Sequence, residues 1–109
     1  SSRFLLFDPI MRMQGWFNSK TGETRPGPIK PAEYSALAFS GIHLLRTRIF
    51  DYMKQDGAYS LTDLYISLCH EQLISGYLHQ DGWWSDVGKP EELMAAHAWL
   101  RSHPQIYTT

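Results

Sequence analysis

Residues 81–100 read DGWWSDVGKPEELMAAHAWL, and the order of residue types in this stretch sets the expected fold. The tryptophans Trp83 and Trp84 lead to an isolated acid, Asp86, followed by Val87 and Gly88. Pro90, Glu91 and Glu92 then open an amphipathic run. Proline suits a first helical turn because it has no N–H to lose there, and acids in that turn offset the positive end of the helix dipole. The order predicts a strand over 83–86, a tight turn at Gly88, and a helix over 91–101 with Leu93, Ala96 and Leu100 facing in. Open α/β sheets place ligands at strand ends of this kind.

Upstream, residues 76–79 read as a short strand. Ser60 and Asp63 resemble a capping box, with Asp in place of the usual Glu. The helix they open has one apolar stripe: Leu61, Leu64, Tyr65, Leu68 and Cys69. Before it, Thr47 starts a short helix with Ile49, Phe50 and Met53 inward, ending near Asp56 and Gly57. Residues 37–45, LAFSGIHLL, are almost continuously apolar and read as a central strand covered on both faces. Pro26, Pro28 and Pro31 mark a surface loop over 25–31. Residues 12–18 form a strand closed by a turn at 19–22, and residues 4–7 form the first strand, ended by Asp8 and Pro9. Three strands, two helices, two strands and a helix make an α/β order, with a mixed sheet and flanking helices expected. The tail over 103–109 has little to hold it.

The 109 residues suffice for one domain or for part of a larger one. With 43% hydrophobic and 14% aromatic residues the chain is globular. A net charge of −1 with no basic run argues against a nucleic-acid partner. No apolar run approaches the ~20 residues that span a bilayer, so no membrane partner is expected. A single cysteine, Cys69, excludes a disulfide framework and suits a reducing, cytoplasmic setting. The chain enters its first strand directly after Ser1, Ser2 and Arg3, which reads as a piece whose preceding residues are missing.

Asp86 is the leading chemical candidate. An acid beside a glycine turn can hold Mg²⁺ while backbone lets a phosphate approach; equally, it can be an ordinary turn acid at a helix entry. Mg²⁺ prefers two carboxylates plus substrate phosphates, so a second acid must come from elsewhere. Ser40 and Gly41 either bring backbone against a sugar or phosphate, or Gly41 makes room for a neighbouring side chain. Asp63 reads as a cap, and Cys69 as core. Trp83 and Trp84 offer either a sugar-stacking platform or rim packing. His43, His70, His79, His97 and His103 have no metal-ligand spacing, and no hydrolase triad is visible.

FSGIHLL (39–45), YSLTDLYISL (59–68) and GYLHQDGWWSDVGKPEELMAAHAWL (76–100), in this order, resemble the C-terminal half of a sugar-1-phosphate nucleotidyltransferase. Residues 1–23 are similar to the bacterial N-acetylmuramate-1-phosphate uridylyltransferase branch, with mannose-1-phosphate guanylyltransferases as close cousins. The resemblance implies a Rossmann-like enzyme, in bacterial nucleotide-sugar and cell-wall synthesis. Its substrates would be a sugar 1-phosphate and a nucleoside triphosphate, and its second product pyrophosphate. By the same resemblance Asp86 is catalytic and holds Mg²⁺, while Ser40, Gly41, Trp84 and Gly88 touch substrate. The family's glycine-rich triphosphate loop is absent from these residues, and its Glu-Lys pair has no clear counterpart near Asn18 to Lys20. Residues 1–109 therefore read as the sugar-binding part of the domain, inactive alone and self-associating through an uncovered sheet edge. Two readings compete: a non-catalytic sugar-phosphate-binding or regulatory domain, and a protein-interaction module using Trp83 and Trp84.

Overall fold

The computed structural model describes residues 1–54, 56–79, 83 and 85–106, and the chain divides into two compact units, 1–78 and 79–109. The first unit carries a four-stranded sheet of order β3-β2-β1-β4, from β1 (Arg3–Phe7), β2 (Met13–Asn18), β3 (Thr24–Arg25) and β4 (Ser35–Leu37). A 3-10 turn (Thr47–Tyr52) and helix α1 (Leu61–Leu68) follow. The second unit holds helix α2 (Pro90–Ser102) and a 3-10 turn at Pro104–Ile106.

Alternation in β1 decides the layering. Leu5 and Phe7 point to one face and pair with Trp16 and Met13 of β2, the register shifting by one residue at a bulge between Leu6 and Phe7. These four residues, Tyr65 and Ile66 of α1, and Cys69 at its C-terminal cap form the core. Leu6 and Met13 are sealed from solvent at 0% and 1% exposure, so each contributes about 1.5–3 kcal/mol by burial. The β1–β2 connection is shaped by Asp8, whose Oδ1 accepts from the N–H groups of Ile10 and Arg12, both at 3.0 Å. The β2–β3 turn is fixed by Asn18, whose Oδ1 accepts from Lys20 N–H at 2.9 Å. Gly15 sits under the proline loop. A methyl there would strike the Ile29 side chain and come 2.6 Å from the Arg25 carbonyl oxygen.

Several expectations hold. The first two strands and the turn between 19 and 22 are present. Ser60 caps α1, its Oγ accepting from Asp63 N–H at 3.2 Å. The α1 stripe is turned by part of a helical step, so that Ile66 is buried while Leu64 and Leu68 are only half-buried.

Other expectations are corrected. All described strand pairs are antiparallel, so the sheet is not mixed. Residues 37–45 are not a central strand. Pairing to β1 stops at Leu37, and residues 38–46 form neither strand nor helix, with Ile42 75% and Leu44 101% exposed. Gly41 at φ +87° turns the chain out of extended conformation, and β4 lies at the sheet edge with only β1 beside it. The segment from Thr47 is a 3-10 turn ending at Tyr52, and its Phe50 is exposed. The strand expected at 76–79 is replaced by a single bridge, Ser75 to Arg12, flanked by bonds between Met13 and Ile74 and between Gly76 and Met11, each 2.8 Å.

In the second unit α2 starts at Pro90 as expected, with Glu91 and Glu92 in its first turn and Arg101 in its last. Of the three residues expected to face in, Ala96 is buried, but Leu93 and Leu100 are exposed. No strand forms at the described residues 83, 85 and 86.

Candidate functional site

On the α1 side of the sheet, alternation and register separate an apolar end from a polar one. Arg3 pairs with Asn18, and Trp16 with Arg25, which carries Arg3, Asn18 and Arg25 to the end of the face beyond the core. Helix α1 with its C-terminal cap lays Tyr65, Ile66 and Cys69 over the apolar end and presents its first turn, with Thr62 and Asp63, to the polar one. The result is an open groove of about 460 Å³, with Phe39 as a further wall.

The groove is strongly polar. Arg25 donates from Nη1 to Asp63 Oδ1 at 3.0 Å and lies 5.9 Å over the Trp16 ring. Both partners of this ion pair are well exposed, so it adds at most about 1 kcal/mol to stability and serves mainly to hold Arg25 in place. The Arg3 guanidinium has no ion-pair partner among the described residues. Two guanidiniums and two carboxylates line the groove, which balances its formal charge, and a guanidinium fork such as the unpaired one of Arg3 matches phosphate oxygens. Glu23 and Asp63 also line the groove and supply acceptors suited to hydroxyl groups.

Ser40 and Gly41 follow the groove residue Phe39 directly. No atom lies within 4 Å of the place where a Cβ on Gly41 would stand, so the glycine makes no room for a neighbour; its left-handed φ is what requires it. His43, two residues on, meets the Phe39 ring edge-on at 4.6 Å and lies 2.6 Å from the buried Tyr65 hydroxyl through Nδ1.

Asp86 stands in the other unit, exposed. Its Oδ1 accepts from Gly88 N–H at 3.0 Å, and a methyl on Gly88 would approach that oxygen to 3.2 Å. Asp86 thus shapes the turn into α2, and its other carboxylate oxygen has no bond among the described residues. An exposed carboxylate oxygen has the donor chemistry that Mg²⁺ takes, and supplies one of the two acids such a site prefers. No group of three or more His, Cys, Asp or Glu side chains gathers for a metal among the described residues.

Trp83 stacks on Trp99 at 4.3 Å and 8°, and Trp99 on His103 at 4.0 Å and 11°, which closes one face of Trp83 to any ligand. Trp84 lies outside the described residues. Sequence reasoning picked Asp63 only as a cap and missed Arg3 and Arg25. Their signal is the alternation of Arg3 with Leu5 and of Trp16 with Asn18, which becomes legible once the register is known.

An antiparallel sheet backed by a helix, with a groove lined by arginines and acids at the helix start, defines a small α/β domain with a charged binding groove. The nucleotidyl transferase family model matches residues 28–103, and the chain belongs to that family. The match takes in Phe39 to Gly41, α1 and Asp86, and leaves β1, β2 and most of the Arg-bearing edge upstream of it. Comparisons with curated proteins and with solved structures gave no match. Among the described residues no helix is long and apolar enough to cross a membrane.

Proposed function

We propose that the chain is the sugar-binding part of a sugar-1-phosphate nucleotidyltransferase with a Rossmann-like fold, acting in the cytoplasm on a sugar 1-phosphate and a nucleoside triphosphate. One observation carries the reading: the family match spans both Phe39 to Gly41 and the start of α1, two segments that meet at a groove with guanidinium side chains.

In this reading the sugar phosphate lies in the groove, its phosphate held by Arg3 and Arg25, with Asp63 fixing the direction of Arg25. The sugar ring lies toward Phe39, with the Ser40 and Gly41 backbone at its rim; Trp84, which lies outside the described residues, is kept as a substrate contact on the family resemblance alone. A phosphate oxygen of the sugar 1-phosphate attacks the α-phosphorus of the triphosphate in line, forming the new P–O bond as pyrophosphate leaves. The chain's part is to position the nucleophile and to balance its charge. Asp86 would hold Mg²⁺ together with a second acid and substrate phosphates, and Gly88 would leave space for a phosphate beside it. The bound ion supplies neutralisation of the charge on the triphosphate.

The test is a titration of the chain with α-D-glucose 1-phosphate followed by amide NMR. Shifts confined to the groove residues, lost in Arg25→Ala, are expected. An undisturbed spectrum at millimolar ligand would sink the reading. With UTP, Mg²⁺ and sugar 1-phosphate the chain alone should release no pyrophosphate above background, and steady release would show that it carries a complete active site. Self-association is part of the proposal too, supported by the exposed Ile42 and Leu44 beside edge strand β4, and a strictly monomeric sizing profile would count against it.

A further inference from the structure

Tyr65 is 7% exposed and belongs to the core between α1 and the sheet, yet its hydroxyl meets a side chain from the exposed 38–46 segment. That partner, His43, is in turn packed edge-on against Phe39, a wall of the groove. Core, histidine and groove wall thus form one line of contacts, with the Ser40–Gly41 turn between Phe39 and His43. We propose that the Tyr65–His43 hydrogen bond is a latch that positions the Phe39–Gly41 turn at the groove, making His43 and Tyr65 positioning residues for the bound ligand.

The Tyr65 hydroxyl has no other partner among the described residues. The latch takes the imidazole tautomer with its proton on Nε2, which leaves Nδ1 to accept from the Tyr65 O–H. Burial also pushes the Tyr65 phenol up from its usual range, which keeps the donor protonated. Gly41 allows the turn to bend back so that both Phe39 and His43 reach α1's side of the sheet.

The ligand part of this inference rests on the proposed function; the positioning part does not. In ¹⁵N NMR of the chain, His43 Nδ1 should show the shift of an unprotonated, hydrogen-bonded nitrogen, and Tyr65→Phe should move it toward that of a free imidazole. Backbone ¹⁵N order parameters at residues 39–43 should fall in Tyr65→Phe, and affinity for α-D-glucose 1-phosphate should fall about fivefold, the factor a typical net hydrogen bond is worth. His43→Asn keeps an acceptor near the Nδ1 position and should keep most of the order, whereas His43→Phe should not. These two exposed-segment variants decide the matter even if Tyr65→Phe fails to fold. A protonated Nδ1, or equal order parameters in His43→Asn and His43→Phe, overturns the latch. Absence of any glucose 1-phosphate binding by the unaltered chain overturns the proposed ligand instead, and leaves the nitrogen-shift and order-parameter results to judge the latch.

Discussion

Residues 4–7 and residues 37–45 are both apolar runs, and they meet opposite fates. FLLF becomes β1, paired on both sides and buried, with Leu6 at 0% exposure. LAFSGIHLL contributes one residue to an edge strand and then leaves the sheet, with Leu44 fully exposed. Hydrophobicity is thus not what separates them. β1 has β2 and β4 to satisfy its backbone groups, whereas β4 has one neighbour and is followed by a glycine in left-handed conformation. A run of apolar side chains becomes a strand only where neighbouring strands supply hydrogen-bond partners along its whole length.

The contrast can be broken most sharply by truncation. Leu6→Ala should cost about 2–5 kcal/mol in urea unfolding, while Leu44→Ala should stay within about 0.5 kcal/mol. Equal losses would mean that the second run is buried in solution. Gly41→Val should cost about 1–2 kcal/mol because a β-branched residue resists φ +87°, and Gly41→Asn should cost less; a neutral valine would show that the turn is not held in that conformation. Ser60→Ala should lose about 1 kcal/mol of stability through the missing α1 cap, read from the same unfolding curves.

Smaller effects probe the groove and the core's titratable groups. Arg25→Ala should change stability by at most about 1 kcal/mol, since its ion pair is exposed, while abolishing the amide shifts caused by glucose 1-phosphate. The reverse pattern would make Arg25 a structural residue. Burial raises the Cys69 thiol from 9.0 and the Tyr65 phenol from 10.0, so the folded state binds their protons more tightly than the unfolded one. Their contribution is complete below pH 9 and is lost as pH rises through and beyond that range. Cys69→Ala should therefore flatten the first part of the alkaline decline in melting temperature.

The sheet's first hairpin was legible because its signals are local: alternation in residues 4–7, an Asn-led turn with Gly22, and a serine three residues before an acid at α1. What misled was also local. The acid and glycine at 86–88 look like a strand end, yet the carboxylate folds back onto the Gly88 N–H and makes a helix entry instead. Asp86, Ser40 and Gly41 stood out by residue type, an acid and a glycine at candidate turns, and family resemblance added roles to them. Arg3 and Arg25 did not, because they are 22 residues apart and meet only through two strand registers. The Tyr65–His43 contact is equally non-local, joining a helix to a segment that reads as strand.

The stacked rings of Trp83, Trp99 and His103 have an optical consequence. Two indoles lying nearly parallel at 4.3 Å should couple as excitons and give a split circular-dichroism band. Trp16, set in the sheet of the other unit beneath the Arg25 guanidinium, has no described ring stacked on it and should fluoresce as an isolated chromophore. Each unit thus carries its own spectral signature, and heating the chain while following both signals would show whether the two melt as one body or in turn.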